Sequence, residues 1–316
     1  MASYYNVKAT KLRRQYKRYS SGFNQWDQKH HAEHFMLFPD NIGEHLSIDE
    51  VSLSQGELYT FVTNKNGRGK KGTLVASIRG TMSSEIVKVL NRIPLESRKR
   101  VKEITLDMAK NMESAVKISF PCASLVTDRF HVVKLAVDAL QHVRVKLRWE
   151  ELDKENQAIE RAKNQGTKYA PIVLKNGDTP KQLLARSRYI LAKKPSRWTP
   201  NQKLRVRVLF RQYPILKQAY EHTMEFRNIY ENNNLIRAKE KFSGWINKSM
   251  ELDIKEFYTV ANSVKYNLDN ILNFFNNRNT NANAESFNAK IKLFRANLRG
   301  VSDTSFFLFR MHNLFA

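Results

Sequence analysis

Four acidic residues have the type and setting for chemistry: Asp49 in SIDE, Asp107 in ITLDMA, Asp128 in LVTDRFH and Glu285 in NANAESFNAK. Asp49 lies within a run of strand-forming residues, and Asp107 and Asp128 each close one. Acids at strand ends in a mixed sheet converge near one edge, and ligand sites of open sheets favour the carboxyl ends of strands. Carboxylates are hard oxygen donors of the kind magnesium takes. Two divalent ions roughly 3.5–4 Å apart serve phosphoryl transfer by activating the attacking oxygen and stabilising the leaving one. Several ionised carboxylates on one edge repel one another, so such a cluster itself argues for a cation. Each residue alone has a plainer explanation. Asp107 and Asp128 precede helical patterns and suit helix caps, and Glu285 suits the positive start of a helix.

The elements that must position these acids follow from patterning. HLSIDEVSLS, ELYTFVTNK and GTLVASIRG read as three strands separated by the turn-rich SQGE and NKNGRGKKG, an antiparallel meander. SSEIVKVLNRI has helical spacing and ends at Pro94. VKEITLDMA is a fourth strand, followed by a helix through Ser119, and CASLVTDRFH is a fifth. The order β-β-β-α-β-α-β-α implies an α/β fold, a mixed sheet flanked by helices. From Phe130 to about Leu272 the pattern is helical, with a stripe beginning at Val133, Val137 and Leu140 and with prolines at 171, 180, 195, 200 and 214 dividing it. Residues 1–44 read as a basic tail or helix fragment, 45–135 as the first part of the core, 136–275 as a helical insertion, and 276–316 as the core's last helix. In that helix Ala284, Phe287, Ile291, Phe294 and Leu298 form an apolar seam. Glu285, Asn288, Lys292, Arg295 and Arg299 repeat the spacing one residue on, and Gly300 is the expected stop. This puts a carboxylate and three cations on one line, a geometry that suits a metal ligand at the helix start followed by DNA contacts at Asn288, Lys292, Arg295 and Arg299, with Arg129 a further candidate DNA contact.

Charge narrows the partner. The net charge is +24, and Arg161–Tyr220 holds fifteen Lys and Arg against one acid, Asp178. A solvated surface mixes signs, whereas an all-cationic run suits phosphates. The candidate DNA contacts there are Arg186, Arg188, Lys193, Lys194, Arg197, Lys203, Arg205 and Arg207, with Trp198 and Trp245 as candidates for stacking on bases. There is no long apolar run and no signal-peptide pattern, so no membrane partner is expected. A single cysteine, Cys122, excludes disulfides within the chain and cysteine-rich zinc modules, and suits a reducing cytoplasm.

LSIDE, VKEITLDMA, TDRFHVVKLAVDAL and AESFNAKIKLFRANLRGVSDTSFFLFRMHNLF resemble the bacterial insertion-sequence DDE transposases of the ISL-three family. The likeness covers roughly residues 45–316 and is closest to the Bacteroides-type branch; DRFHV and the block E-x-x-N-x-K-I-K are its specific parts. The resemblance implies an RNase H-like core with a helical insertion ahead of the last acid, and metal-dependent cleavage and strand transfer of DNA. It implies two Mg2+ ions, for which Mn2+ can substitute. Asp49 matches the first catalytic, metal-holding aspartate, Asp107 the second and Glu285 the terminal glutamate. Asp128, Arg129 and His131 match the block beside the site, with His131 touching DNA or orienting a carboxylate. Asp128 in place of Asp107 as second ligand is the alternative. The implied partners are transposon-end and target DNA and further copies of the chain, a homodimer or higher, in the bacterial cytoplasm. Fuller members carry a zinc module and a helix-turn-helix upstream, whereas only 48 residues precede Asp49 and none is cysteine. The expectation is a catalytic part working with a separate N-terminal end-recognition protein. A nuclease or resolvase on the same fold, and a silent transposase-derived DNA-binding protein, are the rival readings.

Overall fold

The computed structural model describes residues 7–54, 56–278 and 282–316. They divide into two compact units: one runs to Asp128 and resumes at Asn277 through Ala316, and the other is Arg129–Asn276.

The first unit opens with a short helix, α1 (Ala9–Gln15), and is built on one six-stranded sheet. Its strands are β1 (Phe35–Leu37), β2 (His45–Ser54), β3 (Glu57–Asn64), β4 (Leu74–Arg79), β5 (Glu103–Leu106) and β6 (Ser124–Thr127), in the spatial order 1-4-3-2-5-6. β2, β3 and β4 form the antiparallel meander, while β5 and β6 run parallel to β2. This mixed sheet with flanking helices is the expected RNase H-like core. The turn between β3 and β4 demands glycine at one point: a Cβ on Gly67 would lie 2.6 Å from the Thr73 Cα. Parallel pairing needs helical crossovers. They are α2 (Ser83–Leu90), α3 (Leu95–Lys99), which begins after Pro94, and α4 (Lys110–Ser119).

β2 explains its own uneven pattern. Leu46 and Ile48 face one core layer together with Ile86, Leu90, Met112 and Val116 of α2 and α4. Val51 and Leu53 face the other layer. Successive side chains alternate faces, so the apolar positions change phase because both faces are covered, each over a different half of the strand.

The second unit is helical: α5 (Arg129–Asn164), α6 (Pro180–Arg186), α7 (Arg188–Leu191), α8 (Pro200–Gln212), α9 (Pro214–Ile229), α10 (Leu235–Glu251), α11 (Lys255–Tyr266), α12 (Leu268–Leu272) and α13 (Phe274–Asn277). Pro180, Pro200 and Pro214 each open a helix, where the missing N–H costs nothing. Thr179 and Thr199 form capping boxes with Gln182 and Gln202. The buried stripe of α5 is Val132, Ala136, Ala139, Leu140 and Val143, one residue earlier than the expected start at Val133 and Val137. The two alanines set it: they let α9 come close enough for the Thr223 hydroxyl to reach the Ala136 carbonyl at 3.3 Å. No helix among the described residues is long and apolar enough to cross a membrane.

The chain returns to the first unit with α14 (Ala282–Asn297) and α15 (Thr304–Phe315). Phe287 and Ile291 are buried, with Phe294 and Leu298 partly so, as the seam predicts. Asn279–Asn281 lie outside the described residues, and the side chain of Ala284 is not described either. The first left-handed residue after α14 is Arg299 (φ 56°), ahead of Gly300 (φ 102°). Arg299 therefore lies beyond the helix instead of ending its polar stripe. The basic stretch 1–44 holds a helix fragment, α1, and beyond it residues packed into the core. Phe23, Trp26 and Met36 are buried against α15, and β1 pairs with β4. Trp26 donates to His312 Nδ1 at 3.2 Å, and Lys17 pairs with Asp303. The aromatics of this basic stretch lack strand or helix periodicity because they fill gaps beside a helix far along the chain.

Candidate active site and nucleic-acid interface

The strand registers bring the aspartates into one row. β2 pairs with β5 so that Ser47 lies opposite Thr105, and two residues further on Asp49 follows the same register towards Asp107. β5 pairs with β6 so that Leu106 lies opposite Thr127, which sets Asp107 beside Asp128. The Asp128 amide donates to the Leu106 carbonyl at 2.8 Å and continues that ladder. Neighbouring strands lie about 4.8 Å apart, so the register carries the three residues to adjacent backbone positions at the carboxyl ends of β5 and β6 and within β2.

Each carboxylate is held differently. Asp49 accepts from Asn288 Nδ2 at 2.6 Å through one oxygen and from the Glu50 amide at 2.8 Å through the other. Asp107 accepts from the Ala109 amide at 2.9 Å and so also shapes the turn into α4. Asp128 is buried directly before α5. Arg295 donates to the Ser52 carbonyl at 3.2 Å. With Asn288 on Asp49, this contact runs α14 alongside β2 in the same direction. Glu285, exposed in the first turn of α14, therefore lies one turn before Asn288, towards Ser47. Lys290 ties the helix to the β3–β4 turn by donating to the Gly69 carbonyl at 2.7 Å.

Two further ionisable groups lie close to this row, Glu50 on the opposite face of β2 and Lys65 bonded to Thr105 on β5, and sequence reasoning passed over both. Glu50 sits next to Asp49, and its carboxyl is pushed up from the ordinary range by burial and then by the charges of Asp107 and Asp49. The adjacent acids of SIDE were the available signal. Lys65 is buried beneath the row. It donates to Glu103 Oε1 at 3.1 Å and to the Thr105 hydroxyl at 2.5 Å. Burial pulls its ammonium down from the ordinary lysine range, while Glu103 and then Asp128 push it up; the net is downward. Asn277 donates to the other Glu103 oxygen at 3.3 Å. Nothing in NKNGRGKKG separates Lys65 from the loop cations around it.

The donor set fits a hard divalent cation. It offers carboxylate and amide oxygens crowded with like charge. Asn288 Oδ1 is buried beside Asp49 with no hydrogen-bond partner among the described residues. No three His, Cys, Asp or Glu side chains among the described residues are already gathered into a set that could hold a metal. The structure brings Asp49 and Asp107 onto neighbouring strands and Glu285 onto the facing helix without closing them around one point.

The helical unit carries the other candidates. Arg129 rests over the Tyr230 ring at 5.6 Å, and His131 meets the Phe130 ring edge-on. Arg186 pairs with buried Asp178, which also takes Arg205 at 3.0 Å; Asp178 thereby joins α6 to α8. Lys194 pairs with Glu231, and Arg188 lies over the Tyr189 ring. Arg197, Lys203 and Arg207 are exposed and Lys193 half-exposed, as Lys292 and Arg299 are exposed in the first unit. Trp245 is buried, with its ring stacked on His222, so it offers no surface to a base. Trp198 is half-buried. Arg144, also overlooked in the sequence, is buried and donates to the Leu184 carbonyl at 3.1 Å. Its pKa is lowered by burial and then by neighbouring Arg188 and Arg148.

A family model described as "Transposase", that of the ISL-three DDE transposases, matches residues 46–311. The chain belongs to this family. It is also 23% identical over 275 residues to the "Transposase for insertion sequence element IS1001" of Bordetella parapertussis. That alignment covers 86% of this chain and 61% of the relative, so the chain spans under two thirds of the curated relative it matches. Both matches take in the acid row and the helical unit together.

Proposed function

We propose that this transposase-family chain cleaves DNA at transposon ends and joins them to target DNA. The observation that supports the reading is the parallel register of β2 and β5, which extended by two residues runs Asp49 towards Asp107, with Asn288 of α14 bonded to Asp49. Asp49, Asp107 and Glu285 would hold two Mg2+ ions, with Mn2+ able to substitute, and the bound ions would supply Lewis-acid stabilisation to the attacking and leaving oxygens. Asp107 is preferred to Asp128 as second ligand because Asp128 is buried and within the field of the Lys65 cation.

The chain's own residues supply positioning and charge. Asn288 fixes one Asp49 oxygen, and the Ala109 amide fixes one of Asp107. Lys292 and the exposed cations of α8 suit the DNA backbone. The chemistry needs no covalent enzyme intermediate. Water breaks the phosphodiester at the transposon end and leaves a 3′-hydroxyl. That hydroxyl then attacks a target phosphodiester and releases another 3′-hydroxyl. Pairing two ends calls for at least two copies of the chain.

The test is cleavage and joining of end DNA with the Asp49→Asn variant. Loss of both products with DNA binding intact is expected. Cleavage without joining would favour a nuclease or resolvase, and equal behaviour of variant and wild type would sink the enzymatic reading.

A further inference from the structure

Within the helical unit, the segment from Pro195 into α8 encloses an open cleft of about 510 Å³, whose lining includes Ser196, Trp198, Lys203, Val206, Arg207 and Phe210. Two of its walls are aromatic and rigidly mounted. Trp198 donates its indole N–H to the Ile190 carbonyl at 2.9 Å. Trp198 and Phe210 both pack on Tyr220, with ring centroids 5.3 and 5.4 Å away. Tyr220 is itself buried and donates its hydroxyl to the Lys193 carbonyl at 2.8 Å. The rim carries Lys203 and Arg207, one turn apart on the same helix and both exposed.

We propose that this cleft takes one unpaired nucleobase of DNA, with Lys203 and Arg207 on the flanking phosphates. The chemistry of the walls selects this occupant. A flat aromatic group gains from stacking on an indole, and a base has such a face whatever its identity. An anion gains from the two rim cations, and the stretch Thr179–Tyr220 contains no acid to compete for them. A nucleotide in a strand combines both features. Paired bases in a duplex keep their faces stacked on neighbours, so the cleft discriminates in favour of DNA with a gap, bulge or frayed end. Val206 adds an apolar surface to the lining, and stacking on an aromatic wall accepts any base, which predicts tolerance of sequence. This rests on the reading of the chain as a DNA-acting transposase and adds the state of the DNA it holds.

The experiment uses the full chain in EDTA, so that no cleavage intervenes. Fluorescence anisotropy compares a labelled duplex bearing a three-thymidine gap with the same duplex fully paired. A second gapped probe carries 2-aminopurine at the central gap position, whose emission falls when it stacks. Wild type is expected to prefer the gapped probe by about ten-fold and to quench the 2-aminopurine. Trp198→Leu is expected to abolish both the preference and the quench. The surface double variant Lys203→Gln/Arg207→Gln keeps the aromatic packing, so it guards against a folding defect. It is expected to weaken gapped binding and to flatten its salt dependence by about 0.7 in log–log slope per lost single-strand phosphate contact. Equal affinity of wild type for both probes, or a full quench in Trp198→Leu, would overturn the proposal. So would displacement by free dTMP at the same concentration as the gapped strand. Failure to bind either probe at low salt would instead remove the DNA reading on which it rests.

Discussion

Lys65 supplies a quantitative test of the polar layer under the acid row. Its ammonium and the Glu103 carboxylate are both almost fully buried, 3.1 Å apart. At an effective dielectric of about 20 the pair attracts by roughly 5 kcal/mol, which desolvation of both groups offsets. Lys65→Met removes the cation from beside the Glu103 carboxylate, which keeps the Asn277 amide at 3.3 Å, and takes away the favourable field of Lys65 at Asp128. Breaking a buried pair in this way costs about 3–5 kcal/mol. Glu103 has one escape: it can take up a proton. At pH 7 that costs about 1.36 × (7 − 4.3), or roughly 4 kcal/mol, which caps the contribution from Glu103. The cap moves with pH. In the variant the folded state holds a proton that the unfolded state releases above about pH 4.3, so variant stability falls as pH rises. The deficit relative to wild type should therefore be about 2–3 kcal/mol smaller at pH 5.5 than at pH 7.5. Urea titrations of wild type, Lys65→Met and Lys65→Met/Glu103→Met at both pH values measure it. The double variant, with both charges gone, is expected to recover most of the loss and to lose the pH dependence. A deficit below about 1 kcal/mol at pH 7.5, or a double variant no better than the single one, would refute the reasoning.

Two other expectations follow from hydrogen bonds. Asn288→Leu removes the amide on Asp49, and the Mn2+ concentration for half-maximal cleavage should rise about 10- to 100-fold, with little change in thermal midpoint; an unchanged metal requirement would assign Asn288 to DNA contact alone. His222 is buried, with Nε2 bonded to the Ser249 hydroxyl at 2.7 Å, and burial brings its pKa from 6.5 to about 4. The unfolded chain then takes up a proton near pH 6.5 that the folded unit refuses. Stability is full above that pH and falls by roughly 3 kcal/mol by pH 4, and His222→Phe should flatten that slope in urea titrations of the same series.

The strands that carry Asp49, Asp107 and Asp128 to the sheet's edge were legible because strand patterning is local. The runs that end in Asp107 and Asp128 announce their own termini, and the seam from Phe287 to Leu298 announces which face of α14 is buried. What stayed hidden depends on contacts between distant segments. β1 is three residues long, too short for alternation to register, and it exists because β4 offers it an edge. Phe23 and Trp26 have no periodic neighbours, and their meaning comes from α15 nearly 290 residues later. Charge misled in a related way. The long acid-free run around α6–α8 reads as uniformly available to phosphate, yet Asp178 at its border engages Arg186 and Arg205, and Glu231 beyond it engages Lys194. The sequence orders cations along a line, whereas folding decides which of them meet an acid from another helix. Exposed Lys203 and Arg207 beside the Trp198 ring, and not the total charge of the segment, are therefore where specificity for a DNA state would reside. The same logic holds in the sheet. Lys65 is one of four lysines and arginines between Asn64 and Gly72, and its burial against Glu103 is what separates it from the other three.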